Sequence, residues 1–253
     1  MQQSNLYIII FSAILTIVIG GLMSLTSVLL KPAQDKQVEL DTKKKILGAV
    51  MDISQYKNPD EILALYNERV QSKVVNIDGE EVEKDSKGFP VVAEKVNIQK
   101  NYKKDPEERF YPVFMFMNES NPEQIDAYIF PMFGNGLWDW IAGYVALDSD
   151  LNTIEGIAFD HKQETPGLGA RITTDVVQNR FQGKQIYNEQ GNLVSVTMVK
   201  GEGNKGLSKH QVDGLSGATM TAKGVNKMLE HYLSCYTAFF NKVKSNQNKV
   251  ALN

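Results

Sequence analysis

Nine consecutive residues concentrate the groups that could do chemistry: Asp213-Gly214-Leu215-Ser216-Gly217-Ala218-Thr219-Met220-Thr221. Ser216, Thr219 and Thr221 carry hydroxyls, while Gly214, Gly217 and Ala218 let a backbone approach a ligand closely. Downstream, Val225, Met228, Leu229, Tyr232, Tyr236, Phe239, Phe240 and Val243 recur at spacings of three and four, which predicts one apolar helix face. A helix N-terminus presents unpaired N–H groups and the positive end of the macrodipole, so it suits a phosphate. The run therefore reads as an anion site with a hydroxyl that could accept the phosphoryl group covalently. The same hydroxyls could also serve as a plain N-cap, worth about 1 kcal/mol.

Two other glycine-rich segments could approach a flat ligand: Gly134-Asn135-Gly136-Leu137-Trp138 and His161-Lys162-Gln163-Glu164-Thr165-Pro166-Gly167-Leu168-Gly169. Each is also what a surface turn looks like. His161 and Glu164 have an HxxE spacing, but a metal site needs more than two ligands and no further cluster accompanies them. His210 and His231 read as structural or solvated. The single cysteine, Cys235, excludes an internal disulfide and a CxxC site and reads as a small core residue. No Ser-His-Asp pattern, P-loop or GxGxxG run is present, so the chain offers no catalytic set and no NADH site of its own.

The elements that position these residues follow from the rest of the chain. It has 253 residues, 42% hydrophobic and 23% charged, with a net charge of −3. That balance gives no electrostatic footprint for nucleic acid. Leu6 to Leu30 is uncharged; as a helix it would be roughly 37 Å long against a hydrocarbon core of about 30 Å, so it predicts a transmembrane span. Gly20, Gly21, Ser24, Thr26 and Ser27 suit helix–helix contact inside a membrane assembly, and the run serves equally as a simple lipid-facing anchor. Met1 to Asn5 lacks Lys and Arg, which argues against a cleaved signal peptide. Lys31, Lys36, Lys43, Lys44 and Lys45 follow the span, and taken literally this bias puts the large domain in the cytoplasm. Asp35, Glu39 and Asp41 among them suggest instead a charged helix face.

Beyond the span, Gln37 to Met51 predicts a helix with Leu40, Ile46, Leu47 and Val50 inward, and Asn58-Pro59 opens a second one. Lys73 to Ile77 and Glu80 to Glu83 predict two strands joined by a tight Asp78-Gly79 turn. Strands are expected over Pro90–Val96, Phe110–Met117, Ile125–Phe130, Trp140–Leu147, Thr153–Phe159 and Leu193–Val199, with a helix near Thr174–Phe181. The pattern predicts an α+β fold with a mixed, mainly antiparallel sheet and flanking helices. The expected divisions are a tail at 1–5, a transmembrane helix at 6–30, a membrane-proximal region at 31–120, the ligand-binding domain at 121–245 and a polar tail at 246–253.

The string Asp-Gly-x-Ser-Gly-Ala-Thr-x-Thr at 213–221 resembles the flavinylation signature of the FMN-binding domain family. Gly136-Leu137-Trp138 and Glu164-Thr165-Pro166-Gly167-Leu168-Gly169 resemble two further motifs of that family. The resemblance implies FMN carried through a phosphoester on Thr221, with Ser216, Gly217, Ala218 and Thr219 around the phosphate. It also implies Glu164, Thr165, Leu168 and Gly169 on the isoalloxazine side, and Gly136, Leu137 and Trp138 nearby. With the N-terminal span and Lys43-Lys44-Lys45-Ile46-Leu47, the whole arrangement is similar to the C subunits of Na+-translocating NADH:quinone oxidoreductases. Met220 and Ala222 depart from the Leu and Ser often seen beside the acceptor.

That resemblance implies an internal electron carrier with other subunits of the complex as partners. It also implies a separate flavin transferase that uses FAD and Mg2+ and releases AMP. The location implied is the bacterial inner membrane with the large domain facing the periplasm, opposite to the lysine bias; the bias weakens for long domains. The flavin subunit of Rnf-type ferredoxin:NAD+ oxidoreductases shares the anchor and the motif. The Leu215-Ser216 form and the long insert between Asp52 and Asn121 favour the quinone reductase. An unmodified, anchored binding module is the third reading.

Overall fold

The computed structural model describes residues 4–251, and the chain divides between Asp41 and Thr42 into two units. The first unit is helical from Asn5 onward, as part of α1 (Asn5–Gly48). Every residue from Leu6 to Leu30 is exposed, and the helix is long and apolar enough to cross a membrane. A helix apolar on all sides needs hydrocarbon or other helices around it. Its weakly polar groups are satisfied internally: the Thr16 and Thr26 hydroxyls donate to the carbonyls of Ser12 and Leu22, both at 2.8 Å. The helix passes Leu30 and Pro32 without ending, so the segment expected as a separate helix from Gln37 is the last part of α1. Ile46 and Leu47 are fully buried in the second unit, as the spacing predicts.

In the second unit, α2 (Pro59–Arg69) starts where the sequence indicates. The Asn58 side chain accepts from the Asp60 N–H at 3.0 Å, Pro59 occupies the first turn, and Ile62 and Tyr66 are buried. Five antiparallel strands then form one sheet in chain order: β1 (Val70–Val75), β2 (Tyr111–Met117), β3 (Ile125–Asn135), β4 (Trp140–Asp148) and β5 (Ile154–His161). The boundary expected between 120 and 121 falls in the β2–β3 turn, inside this sheet, where Phe114 pairs with Ile129.

Three expected strands are mostly absent, and of Glu80–Glu83 only Glu81 pairs, in a bridge to Val75. Around Pro90 only a bridge to Lys84 forms, and Ala93–Lys95 is a 3-10 turn leading to α3 (Ile98–Tyr102). Of Leu193–Val199, Leu193 forms a single bridge to Tyr187 and β6 (Thr197–Met198) pairs in parallel with β7 (Gln211–Val212). The helix expected near Thr174 is α4 (Asp175–Gln178) followed by a 3-10 turn over Asn179–Phe181.

The C-terminal apolar face belongs to two helices, α5 (Thr219–Cys235) and α6 (Thr237–Ala251), joined at Tyr236. The periodicity runs through the join because Tyr236, Phe239 and Phe240 enter the same core as Val225, Met228, Leu229 and Tyr232. α6 also takes in residues expected to form a polar tail. α5 lies against β3, where Gly224 meets the carbonyl oxygen of Asn135 too closely for any Cβ. That close approach brings the first turn of α5 to the end of β3, where the glycine-rich loops begin.

Candidate functional site

The three segments singled out by residue type converge on one carboxylate. Glu164, only 4% exposed, accepts the backbone N–H of Leu137 at 2.7 Å and of Trp138 at 3.1 Å on Oε1. Its Oε2 accepts the Thr221 hydroxyl at 2.5 Å. Trp138 Nε1 donates to Thr165 Oγ1 at 3.1 Å, tying the first loop to the second again. The Glu164 N–H in turn donates to His161 Nδ1 at 3.3 Å, which gives that histidine a structural partner. Gly169 has no room for a side chain, since a Cβ there would lie 2.5 Å from Thr221 Oγ1 and still closer to Glu164 Oε2. Gly136 is closed in the same way by Glu164 and Ile141.

The third segment is held from below. Gly217 turns the chain at φ +76°, with Leu168 Cδ2 only 2.8 Å from where its Cβ would be. The Asp213 carboxylate accepts from the N–H groups of Gly203 (2.8 Å) and Asn204 (3.0 Å) and from the Asn204 side-chain amide (2.9 Å). Arg180 donates to the carbonyl of Gly214 at 2.6 Å and to Glu202 at 2.8 Å, while Arg171 forms a two-pronged pair with Glu202. The start of the run, Asp213 and Gly214, is thus fixed by a network of charged hydrogen bonds.

Above this frame the surface is apolar. Leu137, Trp138, Leu168 and Met220 are all exposed there, Trp138 at 67%. Elsewhere in the second unit, among the described residues, only Phe89, Val92, Val176 and Val194 are large, hydrophobic and exposed. A cavity of about 360 Å3 adjoins the site, lined by Gly136, Met220, Lys223, Lys227 and His231 among others. A larger one of about 650 Å3, between Gly48–Ser54 and Glu155–Phe159, contains no motif residue. The polar groups that converge on Glu164, rather than the volume of either cavity, define the candidate site.

These residues fit a flavin mononucleotide. Apolar side chains provide a wall for a flat ring, and bare glycines keep the backbone open to it. Ala218, at the start of α5, supplies no side-chain cap, which leaves first-turn N–H groups for a phosphate. Thr221 supplies a hydroxyl, but one that is turned inward and 1% exposed. Among the described residues, no three His, Cys, Asp or Glu side chains group so as to hold a metal ion.

Comparison with known proteins agrees with this geometry. Residues 136–234 match the family model described as an FMN-binding domain. The C subunit of the Na(+)-translocating NADH-quinone reductase of Haemophilus ducreyi is 33% identical, over 87% of this chain and 86% of the relative. The corresponding protein of Neisseria meningitidis serogroup B is also 33% identical, over 92% and 91%. The crystal structure of the Parabacteroides distasonis counterpart superposes with a TM-score of 0.69 at 36% identity, over 83% of this chain and 96% of that one. The Shewanella oneidensis NqrC structure gives 0.69 at 27% identity, over 83% and 99%. The chain belongs to the NqrC family, the C subunits of Na(+)-translocating NADH-quinone reductases.

In this member of the NqrC family, Leu137, Trp138 and Leu168 are exposed and Thr165 is half-buried. Glu164 and Gly169, grouped with them by resemblance, are instead buried against Thr221. Ser216 and Gly217 are exposed at the head of α5, Thr219 is half-buried and Ala218 is buried. Sequence reasoning missed Arg171, Arg180 and Glu202, which lie 11 to 42 residues before Asp213 with no local pattern to mark them.

The network carries a pH signature. The Asp213 carboxyl sits at about 2, chiefly through the Gly203 N–H, and Glu202 at about 2 through its hydrogen bonds to Arg171 and Arg180. Both are depressed, so their contribution is complete above the ordinary carboxylate range near 4 and is lost as pH falls towards 2. Thermal unfolding midpoints followed from pH 5 to pH 2 are expected to fall less steeply in Asp213→Asn and Glu202→Gln than in the wild type.

Proposed function

We propose that this chain is the FMN-carrying electron-transfer subunit of a membrane NADH:quinone reductase that couples electron flow to Na+ export, with the flavin joined to Thr221 through a phosphoester. The observation that carries the reading is the convergence on Glu164 and Thr221 of three segments whose motifs resemble those of FMN-binding domains. Bound there, FMN would supply one- and two-electron exchange. The chain itself would contribute binding and orientation. Thr221 holds the phosphate; Ser216, Gly217, Ala218 and Thr219 surround it at the head of α5; Leu137, Trp138 and Leu168 wall the ring; Thr165 fixes the Trp138 indole. A covalent tether prevents loss of the cofactor between electron transfers. Other subunits of the complex supply NADH oxidation and quinone reduction, and a flavin transferase completes maturation.

The test is the intact mass of the protein extracted from membranes of cells that possess the transferase. It should exceed the chain mass by one FMN less water, with the increment on the peptide containing Thr221. An unmodified peptide would overturn the reading.

For topology we infer one inner-membrane span and a domain on the periplasmic side. Two of the lysines behind the opposite charge-bias reading are engaged in the fold: Lys43 lies over the Tyr66 ring at 4.9 Å, and Lys45 pairs with Asp160 at 2.5 Å. A reporter fused after Asn253 that is active only outside the cytoplasm is the expected outcome. Activity inside would mean that the lysines orient the chain after all.

A further inference from the structure

Of the two oxygens of the buried Glu164 carboxylate, Oε1 is occupied by the N–H groups of Leu137 and Trp138, whereas Oε2 receives the Thr221 hydroxyl. Because two N–H groups of a separate loop fix it, the carboxylate is aimed at the hydroxyl independently of that hydroxyl's own bond. A neutral alcohol is a weak nucleophile and needs an adjacent base to attack phosphorus. We propose that Glu164 is that base: the acceptor chain carries its own proton acceptor for the attachment of the flavin. The proposal rests on the reading of Thr221 as the flavin acceptor.

The step balances without any oxidant or reductant. Oγ1 of Thr221 attacks the flavin-side phosphorus of a flavin adenine dinucleotide. The Oγ1–P bond forms, the pyrophosphate P–O bond breaks and AMP leaves with the bonding pair. The hydroxyl proton moves along the existing hydrogen bond to Oε2. Thr221 Oγ1 then has no proton to give, while Glu164, now a carboxylic acid, donates to it. The hydrogen bond persists with its direction reversed. Without that transfer, a buried carboxylate would face an ester oxygen and a phosphate charge with no donor between them, an arrangement that buried groups avoid.

The hydroxyl is covered by Glu164 and by the backbone at Gly169. Thr221 is 1% exposed, and Gly169 is the residue packed against Oγ1. Two positions earlier Gly167 adopts φ +75° with open space around it, which makes it a ready hinge. Attachment would require Gly167–Gly169 to move off the oxygen, with Glu164 held meanwhile by the N–H groups of Leu137 and Trp138.

The test uses the full chain, purified in detergent from cells lacking the transferase and then incubated with purified transferase, FAD and Mg2+. FMN attachment is followed by intact mass. Glu164→Gln keeps the size and the hydrogen-bonding capacity towards both neighbours but cannot take up a proton. Its kcat is expected to fall about 100-fold or more, the range for removal of a general base, with KM for the acceptor chain within about twofold of wild type. Glu164→Asp should recover part of the rate. An unchanged kcat, or a loss confined to KM, overturns the proposal. If Glu164→Gln does not fold, the infrared difference between modified and unmodified wild-type chain decides. A new carboxylic acid band supports the transfer, and none refutes it. A wild-type chain that takes up no flavin on Thr221 overturns the linkage itself, and this proposal with it.

Discussion

Thr221→Ala is expected to yield a folded, colourless protein whose mass is that of the bare chain. The substitution deletes the proposed acceptor oxygen and nothing else that the fold requires. α5 is held by Val225, Met228, Leu229 and Tyr232 against the sheet, all buried and all C-terminal to the change. The cost lies in Glu164, whose Oε2 loses its Thr221 donor in a buried setting. That is about 1–3 kcal/mol, tolerable for a domain of ordinary stability. Thr221→Ser restores the oxygen and should restore the flavin. Absorbance of the denatured protein, intact mass and far-ultraviolet circular dichroism on the three chains make the comparison. A Thr221→Ala protein that keeps its colour after denaturation would place the linkage on another residue.

What could be read from the residues was local. The head of α5, the Asn58 cap and the glycine-rich loops announce themselves by type and spacing within a few positions. The Glu164–Thr221 bond spans 57 residues, and the Arg180–Glu202–Asp213 network is assembled from three loops, so neither leaves a periodic trace. Resemblance placed Glu164 among the ring contacts, a grouping that says nothing of its burial. In space its burial sends it to the acceptor hydroxyl. β3 shows the same contrast between local and tertiary information. Pro131, which has no N–H to donate, lies just beyond the expected strand end at Phe130. The strand nevertheless continues to Asn135: the ladder with β2 has already ended at the Phe114–Ile129 pair, and Pro131 is paired only with Tyr144 of β4. The join at Tyr236 was hidden for a related reason, since burial continues on one face across a change of helix.

Phe130→Ala is expected to give the largest loss of stability of any single change considered. Phe130 is fully buried at the centre of an aromatic cluster, its ring centroid 4.6 Å from Tyr236, 5.2 Å from Phe240 and 6.1 Å from Phe239. Removing a buried phenyl ring costs its transfer free energy plus the void it leaves, about 3–5 kcal/mol. The void cannot close easily: Tyr236 is tethered through its hydroxyl to the Pro112 carbonyl at 2.7 Å, and Phe240 sits on the next helix. For a domain near 200 residues each kcal/mol lowers the midpoint by about 2–4 °C, so a drop of roughly 6–20 °C is expected by circular dichroism in detergent. Phe130→Leu, which keeps much of the volume, should lose less than half of that. Because Phe130 packs at the α5–α6 join and Thr221 stands at the other end of α5, flavin attachment at temperatures well below the midpoint should remain at the wild-type rate. A variant that stays folded yet takes up no flavin would mean that the join and the acceptor turn are coupled along the helix, and that the geometry at Glu164 depends on the aromatic core as well as on the loops around it.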